Sequence, residues 1–354
     1  MGEAQAGVQT MAVRAAHRFD EAALQRHLAR HLDGFDAPLT VRQFGGGQSN
    51  PTFLITGAGG REAVLRKKPP GDLLPSAHAV DREHRVIAAL AGTGVPVPRT
   101  HHLCEDDSVI GTAFFVMERV HGRVLRDPLL PAFTPDERRA LYDHLAEVLG
   151  TLHSVDVAAV GLSDYGRPGN YFARQFSRWS KQYRAAQTDD IPAMEKLIDW
   201  LPEHMPGADE PDMAAIVHGD YRIENTIVHP SEPRIVAVLD WELSTLGHPF
   251  ADLAACCTGH HADVHGHGSF RGLDLEAMGL PSEREFLERY CRAAGRGAIP
   301  DLTNAIVFAL FRSAAIVQGV YKRGLDGNAS SADAVKFGDY ARSLAAQGWA
   351  LVDG

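Results

Sequence analysis

Two aspartates, an asparagine and a histidine stand at intervals that suit phosphoryl transfer. In Ala215-Ile216-Val217-His218-Gly219-Asp220-Tyr221-Arg222-Ile223-Glu224-Asn225-Thr226-Ile227-Val228, an apolar run delivers His-x-Asp, four residues intervene, Asn225 follows and a second apolar run leaves. Asp240 stands fifteen residues after Asn225, at the end of the next apolar run, in Asp240-Trp241-Glu242. Polar groups at the ends of short buried strands can be aimed by loops into one cleft. Moving a phosphoryl group from ATP needs a carboxylate that accepts or orients the acceptor's hydroxyl proton, and hard oxygen ligands that hold Mg2+ against the phosphates. Asp220 suits the first task; Asn225, a neutral carbonyl, and Asp240, a carboxylate, suit the second. Asp-x-x-x-x-Asn alone is common by chance; His218, the apolar flanks and Asp240 make the pattern specific. Polar turns between buried strands are the competing explanation.

The elements that would position these groups change character along the chain. Residues 52–56 form a β-branched apolar run, 57–60 a glycine-rich turn and 62–67 a second strand, which predicts a hairpin. Residues 79–90 carry Val80, Ile87 and Leu90 with charges between them, an amphipathic helix ended by Val95-Pro96-Val97-Pro98. A Phe- and Val-rich strand over 112–120 closes this part. Thr134, Pro135 and Glu137 then form a capping box, followed by Leu141, Leu145, Val148, Leu149 and Leu152 at helical spacing. Helices are predicted over 171–186, 282–294 and 302–322. The expected class is α+β: a small β-rich lobe over 20–117 and a large, mainly α-helical lobe over 118–354.

His218-Gly219-Asp220, Asn225 and Asp240 resemble the corresponding groups of the aminoglycoside phosphotransferase and choline kinase family, whose fold is kinase-like with two lobes. The resemblance runs from about Phe44 to about Asp252. It implies that Asp220 is the catalytic base and that Asn225 and Asp240 bind Mg2+; Gly219 stands where protein kinases carry Arg. In Phe44-Gly45-Gly46-Gly47-Gln48-Ser49-Asn50, just before the hairpin, Gly46, Gly47, Ser49 and Asn50 are candidates to lie over the ATP phosphates. This loop has no Gly-Lys-Ser/Thr, and Asn50 occupies the third glycine position of a Rossmann fingerprint. Strand alternation puts Val64 and Arg66 on one face and Leu65 and Lys67 on the other. The kinase pattern then selects Val64 to pack on adenine and Arg66 to bind phosphate, with Arg replacing the more usual Lys and bringing a different fork geometry. A solvated cluster of Arg66, Lys67 and Lys68 is the alternative. Glu83 resembles the family's partner for the strand cation, with Asp81 as competitor. The strand Phe114-Phe115-Val116-Met117-Glu118-Arg119-Val120 resembles the hinge, so the backbones of Glu118 and Val120 are candidates to bond adenine. Asp252 resembles the buried Asp that braces the catalytic loop.

Composition narrows the remaining classes. Thirty-five Lys and Arg against forty-five Asp and Glu give a net charge of −10, which argues against nucleic acid as partner. Four cysteines without CxxC spacing indicate neither a disulfide framework nor a zinc knuckle. The first twenty residues hold no apolar signal core, and residues 305–320 are interrupted by Arg312 and Gln318, so a cytoplasmic protein without membrane contact is expected. Four histidines over 260–267 read as a solvated loop, and the aromatic spacing of Trp179 and Tyr183 as core packing. The lack of an Asp-Phe-Gly and Ala-Pro-Glu pair points to a small-molecule hydroxyl acceptor. Val64 to Gly71, Arg174-Gln175 with Trp179, and Asp240-Trp241-Glu242 further resemble the kinase domains fused ahead of some acyl-CoA dehydrogenases. That group implies a hydroxyacyl-CoA acceptor, whose negative charge would give Arg174, Arg178, Lys181 and Arg184 a purpose. The expected protein is an ATP- and Mg2+-dependent small-molecule kinase. A catalytically idle nucleotide-binding scaffold on the same fold is the alternative, and a metal-dependent hydrolase using His218, Asp220, Asp240 and the loop histidines a more distant one.

Overall fold

Gly59 and Gly60 take φ of 70° and 79°, a left-handed turn that lets the two flanking β-branched runs fold back on each other. The resulting hairpin is the middle of a six-stranded antiparallel sheet. The computed structural model describes the chain except residues 1–8, 37, 46–49, 70–78, 168, 207–213, 265–268, 300, 328–333, 335 and 354. Two compact units are present: Met1–Leu125 with Val160–Leu162 and Glu224–Ser244, and Arg126–Ala159 with Ser163–Ile223 and Thr245–Gly354.

The first unit holds β1 (Thr10–Met11), α1 (Glu21–Leu28), β2 (Thr40–Phe44), β3 (Thr52–Thr56), β4 (Glu62–Lys67), α2 (Val80–Leu90), β5 (Thr100–Cys104) and β6 (Phe114–Glu118). Its sheet runs β1-β2-β3-β4-β6-β5. β3 pairs with β4 from Thr52↔Arg66 to Thr56↔Glu62, as the turn dictates. One sheet face packs Phe53, Ile55, Ala63, Leu65, Phe114 and Val116 against Leu24 and Leu28 of α1. The other face, with Val64 and Arg66, receives α2, whose Val80, Val86, Ile87 and Leu90 are buried.

In the second unit lie α3 (Pro135–His153), α4 (Tyr171–Ala185), α5 (Pro192–His204) and β7 (Ala215–Val217). The chain then returns to the first unit for an antiparallel pair, β8 (Thr226–Val228) and β9 (Ile235–Val238), tied back by Val238 N–H donating to Pro96 O at 2.8 Å. The rest of the second unit is β10 (Thr245–Gly247), α6 (Phe250–His261), α7 (Leu275–Met278), α8 (Glu283–Ala294), α9 (Thr303–Leu325) and α10 (Phe337–Ala350). β10 pairs with β7. The predicted capping box at Thr134 and Glu137 starts α3 as expected, and Ser282 with Glu285 starts α8 the same way.

α9 is long and apolar enough to cross a membrane by length and composition, yet Ile306, Val307, Leu310, Phe311, Ala314 and Ala315 are buried inside the unit, where α4, α6 and α10 pack on it. A helix apolar nearly all round is what the core of a large helical unit requires. Cys104, Cys257 and Cys291 are buried free thiols, and Cys256 is half-buried and free.

Candidate active site

Arg66 projects from β4 into a cage of carboxylates, all within the first unit. Its Nε lies 2.8 Å from Glu83 Oε2, its Nη2 donates to Asp240 Oδ1 at 2.6 Å, and Nη2 lies 3.7 Å from Glu242 Oε2. The Arg66 side chain is 12% exposed and Glu83 2%, so the solvated basic cluster does not form. Lys67 points to the opposite face, buried, with its Nζ 5.9 Å from the Phe19 ring centroid. Glu83 and not the half-buried Asp81 is the partner of the strand cation. Glu83 sits on the apolar face of α2, three residues after Val80 and four before Ile87, a position a carboxylate tolerates only when a cation meets it.

Burial raises the Glu83 pKa, which Arg66 opposes and Asp240 and Glu242 reinforce, leaving it pushed up to about 7. Burial works against the Arg66 cation, but the three carboxylates outweigh it and raise the Arg66 pKa. Because the folded-state pKa of Glu83 lies above its ordinary 4.5, the folded protein holds a proton the unfolded chain has released. This contribution to stability is complete below about 4.5 and is lost as pH rises through about 7. Glu83→Gln should flatten that part of the stability-against-pH curve in chemical denaturation. An unchanged slope would remove Glu83 as its source.

Asp240 stands two residues past β9 at φ 67°, ψ 58°, a left-handed conformation that costs a non-glycine residue roughly 1–2 kcal/mol. Its carboxylate is 37% exposed, so it bonds Arg66 and still faces outward. Leu239 N–H donates to Asn225 O at 2.8 Å and Thr226 pairs with Val238, which sets Asn225 and Asp240 at the same end of the β8–β9 pair. An amide and a carboxylate carried at that end offer hard oxygen donors of the kind that suit Mg2+. Asn50, buried, donates from Nδ2 to Glu242 Oε2 at 3.5 Å. Gly46, Gly47 and Ser49 lie outside the described residues. Val64 is buried on the Arg66 face. Glu118 ends β6, its N–H donating to Arg99 O at 2.8 Å, and Val120 follows two residues on.

Asp220 belongs to the second unit, on the loop after β7. Gly219 before it has φ 85°, a backbone state open to glycine and strained for other residues. Asp252, on the first turn of α6, accepts from His218 N–H at 2.7 Å and Gly219 N–H at 2.8 Å, and lies 3.3 Å from His153 Nε2. His153 Nδ1 in turn meets Tyr290 OH at 2.9 Å. Arg312 Nη2 donates to Gly219 O at 2.8 Å, and Tyr221 OH donates to Leu145 O at 2.8 Å. The loop is thus clamped from α3, α6 and α9, while the Asp220 side chain stays 31% exposed with Arg222 Nε 3.4 Å from its Oδ1. Burial opposes ionisation of Asp252, but His153, His218 and the Gly219 N–H outweigh it and hold its pKa below the ordinary value.

Two contributors carried no role in the sequence reading. Glu242 is the third carboxylate on Arg66; its signal was the second acid of Asp240-Trp241-Glu242. Arg312 breaks the apolar pattern of α9, and a charge in the middle of a buried helix is itself a sign of a polar partner. Where it is described, the histidine run is not the solvated loop expected: His260 and His261 are the last turn of α6, half-buried, with His261 paired to Glu283 and His260 Nε2 3.0 Å from Pro281 O. His265 and His267 lie outside the described residues. On α4, Trp179 and Tyr183 are buried as core, and Arg184 pairs with Glu195, which takes it out of the row of available cations.

A sheet unit with a strand cation paired to a helix carboxylate, and a helical unit presenting His-Gly-Asp on a braced loop, define a protein-kinase-like fold. The chain belongs to the phosphotransferase enzyme family, which it matches over residues 40–302. It is 48% identical to a Ralstonia eutropha protein assigned to the aminoglycoside phosphotransferases, whose crystal structure superposes with a TM-score of 0.85 over 95% of this chain and 99% of that one. A crystal structure of an aminoglycoside phosphotransferase with ADP and hygromycin B has the same fold, with a TM-score of 0.61 at 16% identity over 95% of this chain and 99% of that one. Among curated proteins, mouse acyl-CoA dehydrogenase family member 10 is 46% identical over 96% of this chain and 32% of its own length. The chain spans about a third to under half the length of the curated relatives it matches.

Proposed function

We propose that the chain transfers the γ-phosphoryl group of ATP to a hydroxyl of a small molecule. The observation that carries this reading is the Arg66–Glu83 pair meeting Asp240, with Asn225 beside it, in one unit. Arg66 binds phosphate oxygens, held at its angle by Glu83. Val64 packs on the base. The carbonyl of Glu118, whose N–H is engaged, and the backbone of Val120 bond the base edge. Gly46, Gly47, Ser49 and Asn50 belong to the loop over the phosphates. Mg2+ held by Asn225 and Asp240 would neutralise charge on the phosphate oxygens. Asp220 accepts the proton of the acceptor hydroxyl. A bond forms from that oxygen to the γ-phosphorus as the bond from phosphorus to the bridging oxygen breaks, and ADP leaves. Most of the acceleration comes from positioning and charge stabilisation rather than from the proton transfer.

For the acceptor, a hydroxyacyl-CoA fits best among the classes considered, since the 46%-identical relative carries an acyl-CoA dehydrogenase name. Arg174, Arg178 and Lys181 on α4 supply positive charge for an anionic substrate. Work in the cytoplasm would suit these substrates. The test is transfer of labelled γ-phosphate from ATP with Mg2+ to a panel of hydroxyacyl-CoAs, aminoglycosides and choline. Label is expected in the hydroxyacyl-CoA class. Label only in another class would overturn the acceptor, and nucleotide binding without transfer to any class would favour the idle scaffold.

A further inference from the structure

On the sheet face that carries α1, away from Arg66, three imidazoles meet. His27 lies in the last turn of α1, His31 four residues on, and His102 on β5, the edge strand of the sheet. One nitrogen from each ring lies within 4.8 Å of the other two. His27 Nε2 and His102 Nε2 are 2.8 Å apart, the His27 and His31 rings stack with centroids at 4.4 Å, and the His31 and His102 centroids are 4.6 Å apart. We propose that His27, His31 and His102 form a binding site for a divalent transition-metal ion of the Zn2+ class, linking α1 to the edge strand.

The hydrogen bonds of the cluster support a metal over chance crowding. Two Nε2 atoms at 2.8 Å face each other across one shared proton, which a metal would displace as the donor ring changes tautomer. His31 Nδ1 lies 2.8 Å from the His27 carbonyl oxygen; donating there fixes the tautomer that leaves its Nε2 unprotonated, as the outer hydrogen bond of a ligating histidine does.

The geometry is close to what coordination needs. With Zn–N of about 2.0–2.1 Å, ligating nitrogens in a tetrahedral site stand about 3.3 Å apart. The widest pair therefore has to close by about 1.5 Å from the 4.8 Å limit, and the nearest pair to open by about 0.5 Å from 2.8 Å. His31 is exposed and can turn without disturbing the core. The fourth position is left to water. Imidazole donors favour Zn2+, Cu2+ or Ni2+ over Mg2+, so this site and the oxygen donors Asn225 and Asp240 would take different ions.

The experiment uses the untagged full chain, stripped with a chelator and titrated with Zn2+ against a chromophoric competitor in excess Mg2+. One Zn2+ per chain is expected, with a rise in melting temperature on binding. His31→Gln, at an exposed position where folding is not at stake, and His102→Gln should each weaken binding by about tenfold or more and abolish that rise. Asp240→Asn should bind Zn2+ as the parent does. Absence of stoichiometric Zn2+ at micromolar concentration, histidine variants that bind as tightly as the parent, or loss of binding in Asp240→Asn would each overturn the proposal. None of these outcomes depends on phosphotransfer, so the site stands or falls apart from that activity.

Discussion

Asp220→Asn is expected to lower the rate of phosphoryl transfer by about 10²–10⁴-fold, the usual worth of a positioned general base, while nucleotide affinity changes little. Asparagine keeps the shape of the side chain and its place on a loop held by Asp252, Arg312 and Tyr221, so the fold should survive. What is lost is the ability to take a proton. Because the change acts on the transition state and not on the bound nucleotide, kcat should fall and the KM for ATP should stay near that of the parent. Single-turnover transfer with labelled ATP, alongside direct nucleotide binding, separates the two. Transfer at the parental rate would remove Asp220 from the mechanism; equal loss of nucleotide binding would make it a structural residue.

The largest effect on stability should come from Asp252→Ala. The carboxylate is buried and accepts from two backbone N–H groups, His218 and Gly219, while facing His153. Its removal leaves both N–H groups without an acceptor in a dry site, at roughly 1–3 kcal/mol each, so a loss on the order of 4 kcal/mol is expected. Asp252→Asn keeps one acceptor oxygen and turns a donor toward the other N–H, and should fall between. The pH dependence follows from the depressed pKa of Asp252: its contribution is present above about 3.8 and is lost as pH falls through the lower folded-state value. Denaturant titrations at pH 7 and acid titrations of parent and variant test both statements. A variant as stable as the parent would mean that the loop is held by other contacts.

Much of this architecture was legible locally. The hairpin was readable because its turn needs glycine and its strands need β-branched residues, all within sixteen consecutive positions, 52–67. α3 was readable from its cap, since a capping box is a contact between residues three apart, and α8 from its amphipathic spacing. Glu83 was named as the partner of Arg66 by resemblance; the residues themselves left Asp81 open, and only the packing of α2 on β4 shows that Glu83 is the buried one. The His27–His31–His102 cluster was not legible at all. Its first two members show only helical spacing, and the third arrives because β5 is the edge strand, a consequence of sheet order.

By itself the sequence determined the types and order of the chemical groups, His218-Gly219-Asp220, Asn225 and Asp240, and the short elements that carry them, because hydrophobic periodicity, caps and turns act between near neighbours in the chain. The tertiary structure alone decided which charges meet. Arg66 collects carboxylates from positions 83, 240 and 242, and Asp252 reaches back to positions 218 and 219. Such partners are chosen by long-range packing: a charge buried by the fold must find its counter-charge among whatever residues the fold brings alongside it, however far away they lie in the chain.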